Sequence, residues 1–201
     1  GFDMDVVLSD NNVISLEDMQ KFAHKVRTLS YFLRAVLYPT WLLKQLFTST
    51  EEIDDTAVIL FSSGSEGTPK GIMLSHKNLI ANIKQVKTML NPKFNDRIMG
   101  TLPIFHSFGL TVCTLLPQIE GIPVIYHPDP TDGYSIGKLT SKFNATILLG
   151  TATFFRLYLR SRKLHPLMLE SIRLVVAGAE KLSNDIRQDF KQKFGLDIYE
   201  G

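Results

Sequence analysis

The feature that most constrains the fold is a regular alternation, from Thr56 onward, of short apolar runs with segments of helical periodicity. The apolar runs are four or five residues long and are bounded by Gly, Pro or polar residues, as is typical of buried strands. Strands that alternate with helices need crossover connections, so the pattern predicts an α/β fold with a mainly parallel sheet and helices on both faces. The predicted strands are residues 57–61, 98–102, 122–126, 146–149, 173–177 and 196–199.

Two of the predicted helices carry clear start and stop signals. The first has a serine cap at Ser75 and a stop at Asn91-Pro92. The second begins at Ser183 and stops at Gly195. A third helical segment covers residues 154–162. The apolar residues that share one face are Leu79, Ile83, Val86 and Leu90 in the first helix, and Ile186, Phe190 and Phe194 in the second.

The N-terminal part of the chain has a different character. Ser15 with an acid three residues on predicts a helix start, and Pro39 predicts the end of that helix near Tyr38. The most apolar stretch, residues 31–47, contains two basic residues and a proline and is shorter than the roughly 20 apolar residues of a membrane span. It is predicted to be a core-facing helix. A helix lying on a membrane surface or against a partner domain is the alternative.

Composition excludes several classes of protein. With 44% hydrophobic and 21% charged residues the chain has an ordinary globular composition, and its net charge of +2 does not indicate a nucleic-acid partner. The basic residues also do not gather into one block. Cys113 is the one cysteine, so no internal disulfide can form, and its apolar neighbours predict a buried, inert thiol. This suits a reducing compartment.

The loop that follows the first predicted strand is suited to bind an anion. Residues 61–71 contain three glycines, which let the backbone approach a bulky ligand, and four hydroxyl side chains beside Lys70. The loop is neither a P-loop, because Pro69 stands where the second glycine belongs, nor a dinucleotide-binding glycine motif. A flexible surface connection is the alternative interpretation of this loop.

The order of residues in this loop resembles the phosphate-binding signature of the adenylate-forming superfamily, which includes acyl-CoA synthetases, luciferases and peptide-synthetase adenylation domains. Every position of the signature fits except Glu66, which replaces a Thr or Ser. The variant Ser-Gly-Ser-Glu-Gly resembles the acyl-carrier-protein synthetase half of bacterial 2-acylglycerophosphoethanolamine acyltransferases. The resemblance implies that the phosphates of ATP are bound by Ser62, Ser63, Gly64, Ser65, Gly67, Thr68 and Lys70.

Further segments resemble other parts of the same superfamily. Residues 102–110 resemble the signature that lines the acyl pocket, and residues 149–153 fall at a turn along that pocket, although the usual proline is missing. A histidine beside aromatic residues could instead be a hydrogen-bonded core residue, but the spacing from the first signature favours the substrate site. The acyl-binding residues that the resemblance implies are Phe105, His106, Phe108, Gly109 and Thr151.

The nucleotide base is expected near the C-terminal part of the chain. Residues 175–182 resemble the segment that passes the adenine, which implies contacts from Gly178, Ala179 and Glu180. Residues 198–201 resemble the lead-in to a motif whose glutamate helps hold Mg²⁺, and that glutamate lies beyond Gly201. No residue of this chain is therefore predicted to bind the metal. The ribose-binding aspartate and the C-terminal lid domain are likewise expected outside these residues.

The resemblance implies a fatty acid:acyl-carrier-protein ligase that uses ATP and Mg²⁺, with Lys70 and His106 as catalytic residues. Residues 1–54 would be a helical remnant of the large domain and residues 55–201 its ATP- and acyl-binding core. The implied partners are ATP, a long-chain fatty acid and the phosphopantetheine arm of acyl carrier protein, and no nucleic acid. The implied setting is phospholipid acyl recycling in the bacterial cytoplasm, at the inner membrane through segments outside these residues.

Three alternatives to this function stay open. Two are enzymes of the same superfamily, an acyl-CoA ligase and an amino-acid adenylation domain. The third is a non-catalytic nucleotide-binding or interaction module. The 201 residues by themselves are expected to be nearly inactive, because groups that complete the superfamily's site are not among them.

Overall fold

The computed structural model describes residues 25–47, 52–62 and 70–201, and the chain divides into two compact units, residues 1–51 and 52–201. In the first unit, α1 (Lys25–Leu37) and α2 (Thr40–Phe47) flank Pro39. α1 ends where the proline predicts, whereas its predicted start at Ser15 lies outside the described residues.

The apolar side chains of the first unit are largely exposed. Phe32 is 64% exposed and Trp41 is 66% exposed, so the core-facing placement predicted for residues 31–47 is wrong for this structure. Within the described part of this unit, α1 and α2 have 13 and 8 residues, which is too little surface to enclose a core between them. In the described parts of the chain, no helix has both the length and the apolarity needed to cross a membrane.

The second unit combines a parallel sheet with a separate hairpin. Its strands are β1 (Thr56–Ser62), β2 (Lys70–Ser75), β3 (Ile98–Gly100), β4 (Val124–Tyr126), β5 (Ile147–Gly150), β6 (Leu174–Ala177) and β7 (Ile198–Glu200). Its helical elements are α3 (His76–Leu90), α4 (Ser107–Gly109), a π-helix (Leu110–Leu115), α5 (Leu116–Glu120), α6 (Gly133–Phe143), α7 (Ala152–Arg160), a 3₁₀-helix (Pro166–Leu169) and α8 (Asn184–Phe194).

The sheet has the strand order β4-β3-β5-β6-β7, and every neighbouring pair is parallel. After β4 the chain returns to the other side of β3, so the direction of winding reverses between β3 and β5. Buried side chains from α6, α7 and α8 form a core on one face, and those from α3 and the π-helix form a core on the other. The predicted α/β fold with helices on both faces is confirmed.

The capping signals in the sequence operate as predicted. The Ser75 hydroxyl accepts a hydrogen bond from the Asn78 N–H, the Asn78 side chain accepts one from the Ser75 N–H, and α3 ends at Asn91 in the left-handed region. The Ser183 hydroxyl caps α8, which ends at Gly195 with φ of 71°. Local hydrogen bonding therefore fixes both ends of these helices.

Residues 57–61 form the predicted strand, but the prediction that this strand is buried is wrong. β1 pairs antiparallel with β2 outside the main sheet, and Ile59 and Phe61 are 53% and 78% exposed. Only residues 63–69 connect the two strands, and a parallel crossover needs a dozen residues or more. The short connection therefore allows a hairpin, and one face of an antiparallel pair can remain exposed.

Cys113 has the environment that the sequence predicts. It lies fully buried in the π-helix, and burial raises the pKa of its thiol to about 11. The thiol is therefore protonated at neutral pH and unsuited to be a nucleophile.

The amino-terminal edge of the sheet is held by a buried carboxylate. Asp96 precedes β3 and is 3% exposed, and it accepts hydrogen bonds from the Arg173 guanidinium, the Thr146 hydroxyl and the Lys93 N–H. Burial pushes the pKa of Asp96 up, but these donors outweigh it and lower the pKa to about 2. One side chain thus connects the entries to β3, β5 and β6.

We expect Asp96→Ala to lower the free energy of unfolding by about 3 kcal/mol, because it leaves the donors of Arg173 and Thr146 without their acceptor. The folded-state pKa lies below the ordinary value of 3.8, so the contribution of Asp96 is complete above pH 4 and is lost as the pH falls toward 2. The loss amounts to about 2 kcal/mol. Urea unfolding at pH 7 and at pH 2.5 measures both effects.

Asp189→Ala is the matched control, since Asp189 is an exposed carboxylate on α8. It should leave stability nearly unchanged at either pH. An Asp96→Ala defect that is equally large at both pH values would contradict the ionic part of this account.

Candidate functional site

The predicted acyl-binding and adenine-binding residues gather at the carboxyl ends of the strands, where the winding of the sheet reverses. Residues 101–109 follow β3, Thr151 follows β5, and residues 178–180 follow β6. In open α/β sheets this reversal leaves a crevice in which ligands bind. Two cavities lie there.

The larger cavity has a volume of about 560 Å³ and lies between α3, the π-helix and the ends of β5 and β6. Among the described residues that line it, none is Asp, Glu, Lys or Arg. Its wall is mostly aliphatic and aromatic, which suits an apolar ligand. The lining comprises Asn82, Val86, Met89, Leu90, His106, Ser107, Phe108, Thr111, Val112, Leu149, Val176, Gly178, Ala179 and Gly201.

The smaller cavity has a volume of about 270 Å³ and lies beside the first. It is lined by Leu102, Pro103, Phe105, His106, Phe108, Gly109, Thr151, Phe154, Ala179 and Glu180. His106, Phe108 and Ala179 line both cavities and so form the wall between them. The structure thus brings together every predicted acyl-binding and adenine-binding residue.

His106 is held in a defined orientation. It caps the short helix α4, and its Nδ1 accepts a hydrogen bond from the Phe108 N–H at 3.3 Å. In neutral histidine this leaves Nε2 as the protonated nitrogen, which can donate to a ligand oxygen. His106 is exposed at the cavities rather than enclosed in the core.

Two glycines in this region are needed because the chain approaches itself closely. A Cβ on Gly109 would lie 2.1 Å from the Pro103 carbonyl oxygen, so this turn needs a glycine at position 109. A Cβ on Gly178 would lie 2.7 Å from the Phe108 ring. The ring therefore rests directly on the backbone of the loop after β6.

The loop after β6 has a strained residue and an anchored carboxylate. Ala179 adopts φ of 65°, a region that residues with a Cβ rarely occupy. The Glu180 carboxylate accepts hydrogen bonds from the Thr153 N–H at 2.9 Å and the Thr153 hydroxyl at 2.8 Å. Thr153 stands in the first turn of α7, so Glu180 ties the loop after β6 to the loop after β5.

Two of the residues predicted to bind phosphate lie on the hairpin strands that the structure describes. Ser62 and Lys70 pair with each other in the β1–β2 hairpin, on either side of its connecting loop. Neither residue lines either cavity. Lys70 is exposed. The other predicted phosphate ligands, Ser63, Gly64, Ser65, Gly67 and Thr68, lie outside the described residues.

Several lining residues were not predicted from the sequence. Asn82, Val86 and Met89 of α3 and Thr111 and Val112 of the π-helix form one wall of the larger cavity. A spacing of four and then three residues places the α3 set on one face, and this is the one signal in the sequence that pointed to them. Among the described residues, no group of three or more His, Cys, Asp or Glu could hold a metal ion.

The chain matches known proteins over most of its length. A family model described as AMP-binding enzyme matches residues 4–201. The probable 4-coumarate–CoA ligase 2 of Dictyostelium discoideum is 34% identical over 142 residues, which are 70% of this chain and 26% of the relative. The long-chain-fatty-acid–CoA ligase of Bacillus subtilis is 30% identical over 151 residues, 73% of this chain and 26% of the relative. The chain thus spans about a quarter of the length of these relatives.

Solved structures share the fold. ATP-bound MatB from Rhodopseudomonas palustris superposes with a TM-score of 0.69 at 31% identity, covering 76% of this chain and 30% of that one. A fatty acyl-adenylate ligase from L. pneumophila, in complex with acyl adenylate and pyrophosphate, superposes with a TM-score of 0.67 at 26% identity, with the same coverage.

We expect Gly178→Ala to lower the free energy of unfolding by about 1–3 kcal/mol, because the new methyl group would overlap the Phe108 ring. In a Phe108→Ala background the same substitution should cost much less, since the ring is gone. Urea unfolding of the four proteins in this double-mutant cycle measures the coupling. Gly71→Ala is the control, because a Cβ there meets its neighbours at 3.4 Å or more. Equal costs of Gly178→Ala in both backgrounds would contradict the contact.

Proposed function

The chain belongs to the AMP-binding enzyme family, and we propose that it is the ATP- and acyl-binding part of a longer ligase that activates a long-chain fatty acid. The proposed acceptor is the phosphopantetheine thiol of acyl carrier protein, and the proposed setting is the recycling of phospholipid acyl chains. The observation that supports this most is the pair of adjoining cavities, one apolar, that share His106, Phe108 and Ala179.

The larger cavity suits the hydrocarbon part of an acid. Its aliphatic wall from α3, the π-helix and the strands can bury methylene groups, at about 0.8 kcal/mol for each. The carboxylate would then lie at the shared wall, where the protonated Nε2 of His106 can donate a hydrogen bond to it. Phe105, Phe108 and Thr151 would border this carboxylate from the smaller cavity.

The nucleotide is proposed to lie along the carboxyl ends of β5 and β6. Ala179 and Glu180 line the smaller cavity, where the small side chain of Ala179 would let a flat base approach the loop, and Gly178 beside them lines the larger cavity. The phosphates would extend toward the hairpin. There Ser62, Ser63, Gly64, Ser65, Gly67 and Thr68 would donate hydrogen bonds and Lys70 would add a positive charge.

The proposed reaction has two steps. A carboxylate oxygen attacks the α-phosphorus of ATP, the bond to the β-phosphate oxygen breaks, and pyrophosphate leaves as acyl-AMP forms. The thiol then loses its proton, its sulfur attacks the acyl carbonyl carbon, and AMP leaves. Lys70 would stabilise the charge that develops on pyrophosphate. The described residues supply no cluster for Mg²⁺, so we assign the metal to no residue of this chain.

Two alternatives are less well supported. An amino-acid adenylation domain usually pairs the substrate's α-amine with an acidic side chain, and no Asp or Glu is among the residues that line the larger cavity. A non-catalytic nucleotide-binding module would not need an apolar cavity of about 560 Å³ beside the loop after β6, where the base is proposed to bind. A coenzyme A ligase differs in the acceptor alone, and acceptor assays distinguish it.

The first test is ATP–pyrophosphate exchange by the full-length protein with fatty acids of increasing length and with amino acids. We expect exchange with long-chain fatty acids and none with amino acids, because the cavity is apolar. The 201-residue chain, assayed beside it, should be nearly silent. Thioester formation with acyl carrier protein and with coenzyme A then identifies the acceptor. A folded protein that exchanges with no carboxylic acid would overturn the proposal in favour of the binding module.

We expect Lys70→Ala to reduce kcat/KM for exchange at least tenfold, which corresponds to about 1.4 kcal/mol of transition-state stabilisation. The reason is that the substitution removes the positive charge beside the connecting loop of the hairpin. Lys84→Ala is the matched control, since Lys84 is an exposed lysine on α3. Unchanged kinetics of Lys70→Ala would remove this loop from the proposed site.

A further inference from the structure

The loop that follows β6, residues 178–182, is tied to two other elements by hydrogen bonds to carboxylate side chains. In the middle of the loop, the Glu180 carboxylate accepts two hydrogen bonds from Thr153. At its end the Leu182 N–H donates to the Glu200 carboxylate at 3.0 Å, and Glu200 also pairs with Arg187 at 2.8 Å. The loop is therefore suspended between α7 and β7.

The suspended loop contains the strained residue Ala179. A positive φ is costly for a residue with a Cβ, and such a conformation persists when the surrounding structure holds it in place. Ala179 is held from both sides: the Gly178 N–H donates to the Gly150 carbonyl before it, and the Glu180 carboxylate binds Thr153 after it. Releasing Glu180 would let the backbone relax toward a common conformation.

The bonds from Thr153 are directed by the helix to which it belongs. The N–H groups in the first turn of a helix have no partner inside the helix. Thr151 caps α7 by accepting from the Phe154 N–H, and Glu180 takes the Thr153 N–H from outside. A carboxylate at this end of α7 is also favoured by the helix dipole. The contact therefore stabilises the loop after β5 and the loop after β6 together.

We propose that Glu180 is a positioning residue for the nucleotide: by binding Thr153 it holds Ala179 in the conformation that forms the wall between the two cavities. This inference rests on the proposed function, since the ligand at that wall is taken to be the base and α-phosphate region of ATP. The inference goes further than that function because it gives Glu180 a specific role. In this role Glu180 accepts hydrogen bonds from Thr153, and its charge does not contact the ligand.

The alternative is that Glu180 contacts the nucleotide directly and that Thr153 is incidental. The two accounts predict different variants to be defective. Glu180→Gln keeps a carbonyl oxygen that accepts from both Thr153 donors, so the positioning account expects it to retain most of the ATP affinity. Thr153→Val removes the hydroxyl donor, so the same account expects a defect although Thr153 lines neither cavity.

The experiment measures the ATP dissociation constant by calorimetry and KM for ATP by exchange, both in the full-length protein. We expect Glu180→Ala to weaken ATP binding at least tenfold, Thr153→Val to weaken it several-fold, and Thr153→Ser and Glu180→Gln to restore most of it. In the Glu180→Ala background Thr153→Val should have little further effect, because the shared contact is already lost. Asp189→Ala, which removes an exposed carboxylate from α8, is the control for charge.

The outcomes separate this inference from the proposed function. If the wild type fails to exchange with every acid but binds ATP, the proposed function falls, and the calorimetric series still tests the role of Glu180. If the wild type exchanges but Glu180→Ala leaves ATP affinity unchanged, the positioning role falls alone. A defect in Glu180→Gln as large as in Glu180→Ala, with Thr153→Val unaffected, would also overturn it in favour of direct contact. Failure of the wild type to bind ATP would overturn both.

Discussion

The site depends on the parallel pairing of β3, β5 and β6, because that pairing makes three strands end at the same edge. The ladder continues past the strands, where the Gly178 N–H donates to the Gly150 carbonyl at 3.1 Å. This hydrogen bond aligns the first residues of the loops that follow β5 and β6. Since each strand of a parallel pair needs its own crossover, the same constraint places helices over both faces and leaves the carboxyl edge open.

Carboxylate side chains have different roles at the two edges of the sheet. At the amino edge Asp96 joins three strand entries through Arg173 and Thr146, and no cavity of the proposed site lies there. At the carboxyl edge Glu180 and Glu200 hold a loop that contains a residue with positive φ. Among the described residues with positive φ, Ala179 is the one that is neither Gly nor Asn, and it lies where a ligand is proposed to bind. Strain of this kind is commonly found at ligand-binding loops.

Two glycines of the site each allow a close contact with a larger residue. The Phe108 ring lies against the bare backbone of Gly178, and the Gly109 backbone lies against Pro103. In each pair the missing side chain allows a contact that a Cβ would prevent. The Gly178 contact brings Phe108, which lines both cavities, against the loop after β6, so the proposed carboxylate and nucleotide sites can adjoin.

Much of the second unit could be predicted from the sequence. The runs that became β3, β5 and β6, and the capping residues of α3 and α8, are local signals, and local chemistry decided them. The motif residues around His106 and Gly178 were found because the family signature is local as well. α6 was missed because its sequence is rich in Gly, Ser and Thr and carries few apolar residues, although Asp132 caps it and Asn144 ends it.

The failures share one cause, which is that burial and partner choice are not local properties. The apolar sequence of β1 predicted a strand, but the seven-residue connection to β2 made it part of an exposed hairpin. The apolar sequence of α1 and α2 predicted a core, but no other described element of that unit covers them. Val86 packs against the core as its helical position predicted, but the sequence did not indicate that it also lines the larger cavity.

The sequence by itself determined the class of fold, the helix ends and the identity of the residues at the carboxyl edge, because each depends on neighbours in the chain. Only the tertiary structure decided which residues share a wall, which nitrogen of His106 is free, and that the Glu180 carboxylate binds Thr153 across 27 positions. Those outcomes depend on the register of parallel strands and on the direction of each loop. Contacts between distant residues set both.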